Sequence, residues 1–187
     1  MAADPLRTLG AGPDLGHAAV VGEAARHIGF RGLSALGMPI AGLMWSAGTF
    51  LGRSGEIGGL DIPVAYAFAV VAVGGLSQTL AIWFGLSAVT WAMTRLFGAK
   101  AGFFQLLAVY SASAAPLWVA APSAALYVSD EIALLGPILV VGCTGTALFF
   151  WKLSENLAAA CGWTRLRASS ALACTGVFLA SFFSLYA

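Results

Sequence analysis

The chain has 187 residues, of which 60% are hydrophobic and 9% charged, and its net charge is +1. An ordinary soluble domain carries about 25% charged residues, so this composition excludes a water-exposed globule. The small, dispersed charge excludes a nucleic-acid partner, and the length accommodates one helical bundle without a second domain of normal size.

Residues 1–16 are rich in Gly, Pro and Ala and read as a flexible cytoplasmic tail. They contain no apolar signal-peptide core, so the first membrane helix is expected to act as the targeting signal. From His17 the pattern changes: Val21, Ala24, Ala25 and Ile28 recur at helical spacing, with Glu23, Arg26, His27 and Arg31 turned away. This predicts an amphipathic interfacial helix over residues 17–31, ahead of a membrane domain over residues 32–187.

Five membrane spans are expected: Leu33–Leu51, Ile62–Leu96, Phe103–Ala121, Ile132–Trp151 and Ala168–Tyr186. The fold class is therefore an all-α, polytopic helical bundle. The strongest signal is the uncharged run from Ile62 to Thr94, because a charge at the bilayer centre costs about 2.5–3.5 kcal/mol on insertion scales. At 1.5 Å per residue the second span would reach about 52 Å, well beyond a hydrocarbon core of about 30 Å. Splitting it at Gly74-Gly75 would move Arg95 and Lys100 to the other side. A single helix that projects from the membrane or bends near Gly74-Gly75 is the better reading.

Orientation follows from the basic residues. With five crossings, Arg7, Arg26, Arg31, Arg95, Lys100, Lys152, Arg165 and Arg167 share one side, and Arg53 alone is opposite. Basic loops stay in the cytoplasm, which puts the N-terminus inside and the C-terminus outside. Two lysines against seven arginines, with heavy Ala and Gly use, point to a bacterial source and the inner (plasma) membrane.

Small residues mark expected helix contacts: Ser111 to Ala115 in span three, and Gly136, Gly142 and Gly145 in span four. Pro116 and Pro137 each remove a backbone N–H, so local kinks are expected there. The polar side chains within the spans include Gln78, Gln105, Ser111 and Ser113, which read as helix–helix hydrogen bonds. Lys152 and Glu155, three positions apart, read as an interfacial ion pair. The segment Lys152–Ser170 is expected to be an inner loop, with Trp163 as an interfacial anchor. Its Arg165 and Arg167, together with Arg26, Arg31 and Lys152, are the candidate contacts to lipid headgroups or a partner.

Cys143, Cys161 and Cys174 form no CxxC pair and read as small apolar residues, with Cys161 near enough to the membrane for acylation to be conceivable. His17 and His27 have no ligand set around them, so neither a metal nor another cofactor is expected. No GxxxxGK[ST], GxSxG, HExxH or GxGxxG motif is present, and the chain reads as not an enzyme.

The run RLFGAKAGFFQLLAVYSASAAPL, Arg95 to Leu117, resembles the Yip1 family of small five-span membrane proteins. Leu96, Phe97, Gly98, Lys100, Phe104, Gln105, Ala108, Tyr110, Ser111 and Pro116 carry the likeness, and Trp163 to Ala173 looks like that family's basic loop entering its last helix. The resemblance implies a five-span fold. The acidic motif of the family's trafficking members has no counterpart here. The expected function is a non-catalytic scaffold or accessory subunit that binds another membrane protein or organises lipid around it, with membrane lipids and another membrane protein, or itself as a homo-oligomer, as the expected partners. The alternative is a small oligomeric transporter or channel.

Overall fold

The computed structural model describes residues 33–59, 61–128 and 135–184. The amphipathic helix expected over residues 17–31, with Arg26 and Arg31, lies outside them. Most of the described residues are helical, and none of them is in a strand. Seven helices follow in order: α1 (Leu33–Gly52), α2 (Ser54–Gly58), α3 (Val64–Leu96), α4 (Phe103–Ser113), α5 (Leu117–Val128), α6 (Leu135–Cys161) and α7 (Arg165–Ser184). Three of them, α1, α3 and α6, are long and apolar enough to cross a membrane, and the α4–α5 pair counts as a fourth if it is one broken span. The chain thus has the character of a membrane protein. Large apolar side chains turn outward along these helices, among them Val70, Val73, Leu148 and Val177.

The fold departs from the expected spans in four places, each for a local reason. Phe103–Ala121 is not one helix, because α4 and α5 meet at 74°. Pro116 has no N–H to continue the α4 ladder, and the residue before a proline avoids the helical region. Turn bonds from Leu117 N–H to the Ala114 carbonyl (2.8 Å) and from Trp118 N–H to the Ala115 carbonyl (3.1 Å) restart the chain as α5. Pro137 is the third residue of α6 as described, within the first turn, where a missing N–H leaves no helical bond unmade. No kink is forced there.

The third departure is the length of α6, which runs ten residues beyond Trp151. The sequence KLSENLAAAC consists largely of strong helix formers, and the helix stops only when Gly162 takes a left-handed φ of 65°. Most of the expected Lys152–Ser170 loop is therefore helix. Fourth, α7 begins at Arg165 rather than Ala168. By contrast α3 is one unbroken 33-residue helix through Gly74-Gly75. Gly75 lies against α1, where a Cβ would fall on the Ser46 hydroxyl, while Gly74 faces open space.

Packing is organised around α1, which touches α3, α4 and α5. A Cβ on Gly42 would lie 2.9 Å from Thr79, one on Gly48 would lie 2.7 Å from Pro122, and one on Gly37 would fall on the Ser111 carbonyl. Close backbone approach of this kind replaces hydrophobic exclusion as the driving force between helices in lipid. Two buried clusters result. One joins Met38, Trp83, Tyr110, Ala114, Phe149 and Leu153; the other joins Ala101, Leu106, Leu157, Ala158 and Ala168.

The contacts also order the α4–α5 pair. Along α6, Gln105 meets Ala160, Ser113 meets Asn156, Ala120 meets Gly145 and Ser123 meets Gly142. The pair advances antiparallel to α6 through the break without turning back.

Candidate functional site

Two places gather the chemistry-bearing side chains. The first is the end of the bundle where α3 and α6 stop and α4 and α7 start. Both helices stop in the same way. Gly98, at φ 79°, donates its N–H to the Arg95 carbonyl while Ala99 donates to Thr94. Gly162 donates to Ala159 while Trp163 donates to Ala158. These are Schellman turns, in which a left-handed glycine lets the last carbonyls find partners.

The two turns are joined through side chains. The Phe97 and Trp163 rings meet edge to face with centroids 6.3 Å apart. The Arg167 guanidinium lies 4.8 Å from the Trp163 ring centroid and donates to the Phe97 carbonyl. Arg165 lies 4.3 Å above Trp151 and pairs with Glu155 at 3.2 Å, and Glu155 also pairs with Lys152 at 3.2 Å. Gln105 completes the set by donating to the Ala160 carbonyl at 3.3 Å. Sequence pattern groups Lys152, Trp163, Arg165 and Arg167 only as members of one expected loop. The tertiary structure joins Lys152 to Arg165 through Glu155, and Trp163 and Arg167 to Phe97, a pairing across the chain that no sequence signal marks.

The second place is the bundle interior. Ser111 is buried and accepts from Met38 N–H at 3.4 Å. The buried Ser113 hydroxyl donates to Val109 and accepts from the Asn156 amide, each at 2.8 Å. Thr90 and Tyr110 share a hydrogen bond of 2.6 Å. The Trp83 indole donates to Leu107 at 3.1 Å, and the Trp118 indole donates to Gly37 at 2.9 Å. Asn156, Tyr110 and the two indoles are partners that the sequence alone does not pair.

Gln78 stands apart from this network. It lines a cavity of about 300 Å³ with Met38, Trp45, Thr79, Trp83 and Phe149, and its amide has no hydrogen-bond partner among the described residues. Ser87 is the buried hydroxyl left without a partner among them. The same residues hold no cluster of three potential metal ligands. Cys143, Cys161 and Cys174 are free thiols, with Cys143 and Cys174 on the outer surface of the bundle.

No family model matches the chain, and neither a curated protein nor a solved structure matches it.

Proposed function

We propose that this chain is a non-catalytic inner-membrane scaffold or accessory subunit that binds another membrane component in the plane of the bilayer. The observation that carries this reading is the fate of the polar side chains. Ser111, Ser113, Thr90, Tyr110 and Asn156 are spent on bonds between the chain's own helices, which stiffens the bundle and takes these groups away from any conducting path. A rigid bundle with wide apolar faces suits lateral binding.

In this reading α1, α3, the α4–α5 pair, α6 and α7 are five crossings. The steady antiparallel course of α4–α5 along α6 supports counting that pair as one. The junction of the α3 and α6 ends with the α4 and α7 starts puts Arg95, Lys100, Arg165 and Arg167 at one end of the bundle. That end is cytoplasmic by the charge rule, with the N-terminus inside. The likeness of Arg95–Leu117 to the Yip1 family agrees with such an arrangement, and its Gly98 has a physical reason in the left-handed turn.

Reconstitution of the full chain in liposomes tests the reading. No saturable ion or small-solute flux is expected, and cross-linking in native membranes should give a defined oligomer or heteromer. Saturable flux lost on Gln78→Ala or Gln105→Ala would overturn it, as would a chain that cross-links to nothing.

A further inference from the structure

The cavity beside Gln78 is walled by α1, α3, α5 and α6, and three of its walls are the aromatic rings of Trp45, Trp83 and Phe149. Its depth follows from the packing of α1 on α3. Gly42 lies near the middle of the apolar stretch Ala35–Gly52 and abuts Thr79, whose neighbour is Gln78. With α1 and α3 as membrane crossings, as proposed above, the cavity lies at the level of the acyl chains, and what enters it comes from hydrocarbon rather than from water.

The polar atoms facing that space divide into spent and unspent groups. The Thr146 hydroxyl donates to the Gly142 carbonyl, and the Trp83 indole donates to Leu107. Of the nitrogen donors, the amide of the exposed Gln78 and the indole N–H of the half-buried Trp45 have no partner among the described residues. In a bilayer core no water relieves an unpaired donor, so such groups are stable only when something satisfies them. A lipid acyl chain would fill the volume and leave both unpaired. A molecule with a carbonyl oxygen on a flat apolar ring would accept their hydrogen bonds and lie against the aromatic walls.

We propose that this cavity binds a neutral, membrane-dissolved carbonyl compound of the isoprenoid-quinone type, with a carbonyl oxygen at the Gln78 amide and the Trp45 indole. The ring occupies the cavity and the apolar tail leaves sideways into the bilayer. The assignment goes beyond the scaffold reading and does not depend on it, since a site of this kind can exist with or without a protein partner.

The test uses the full chain in phosphatidylcholine nanodiscs, titrated with decyl-benzoquinone and followed by tryptophan fluorescence. The expected result is a saturable quenching component above the linear background of partitioned quinone. Gln78→Leu should weaken that component roughly tenfold, as expected for loss of one good hydrogen bond. Ala121→Phe, which fills the cavity from α5, should abolish it, and Phe178→Leu, on the outer surface of α7, should leave it unchanged. Thermal midpoints within a few degrees of wild type establish that the variants are folded; should Ala121→Phe misfold, Gln78→Leu alone decides. Purely linear quenching in the wild type would overturn the site. Saturable quenching equally strong in Gln78→Leu would overturn the role of the amide. Displacement of the quinone by an equal concentration of dioleoylglycerol would overturn the ring assignment in favour of a glycerolipid carbonyl.

Discussion

At Gly48 a methyl group has nowhere to go, because the Cα and carbonyl oxygen of Pro122 both lie 2.7 Å from where a Cβ would sit. Backbone cannot step aside as a side chain can, so Gly48→Ala should lower stability by about 1–3 kcal/mol, the usual cost of overpacking. Gly74→Ala is the matched control: nothing lies within 4 Å, and replacing a mid-helix glycine should gain up to about 1 kcal/mol. Thermal unfolding in detergent should separate the two in opposite directions, and equal midpoints would mean that α1 and α5 do not meet this closely. The same logic ranks the glycines of α6. A Cβ on Gly145 would lie 2.8 Å from Ala120, one on Gly142 would make an ordinary 3.7 Å contact with Ser123, and Gly136 faces open space. The Ser113–Asn156 bond also permits a cycle of substitutions. Ser113→Ala strands the Asn156 amide in the bundle, and combining it with Asn156→Leu should recover part of the loss. The coupling is expected near 0.6 kcal/mol, the average for such bonds between membrane helices, and a value of zero would mean that the amide finds another partner.

Among the elements, the joined turns at the ends of α3 and α6 make the sharpest case. Arg167 serves both at once, stacked on Trp163 from one turn and bonded to the Phe97 carbonyl of the other. Arg167→Ala removes a charge-assisted hydrogen bond, and a loss of about 1.5–3 kcal/mol is expected. Arg167→Lys keeps the charge but not the planar stacking, and should restore less than half of it. Hydrogen exchange is the informative readout, because faster exchange should concentrate at Phe97–Ala101 and Gly162–Thr164. Uniform protection in Arg167→Ala would mean that each Schellman turn holds by itself. The Lys152–Glu155–Arg165 group is a weaker support. Its side chains are about half exposed, and pairs of that kind contribute about 0–1 kcal/mol and fade with salt.

For the whole molecule the testable quantity is the path of the chain. In a cysteine-free background, single cysteines at Gly59, Lys100, Val128 and Thr164 can be labelled with an impermeant maleimide. Five crossings predict that Gly59→Cys and Val128→Cys react from one side and Lys100→Cys and Thr164→Cys from the other. If the α4–α5 pair were a re-entrant loop, Val128→Cys would react together with Lys100→Cys. The break at Pro116 is not itself evidence of re-entry, because contacts with α6 progress steadily from Ala160 to Gly142 across it.

The sequence by itself determines that the chain is helical and apolar. It also bounds α1 and α3 to within a few residues, because charge exclusion from hydrocarbon acts on each residue independently of its neighbours. It marks Pro116 as a place where α4 cannot continue, since a missing N–H is a local fact, but not that the chain turns there by 74°. The end of α6 was harder to read: Lys152 and Glu155 look like a membrane boundary, yet a charged residue ends a span without ending a helix, and only Gly162 does so. Apart from the Lys152–Glu155 pair, which lies on one helix at a spacing the sequence shows, the pairwise contacts are decided by tertiary structure. No periodicity tells Gly48, pressed on Pro122, from Gly74, facing open space, or joins Arg167 to Phe97 across seventy residues. Nor does it mark Gln78 as the span amide left unbonded beside a cavity. Those outcomes depend on which helix faces come together, and in a bundle whose helices are apolar on every side, hydrophobicity does not choose the face.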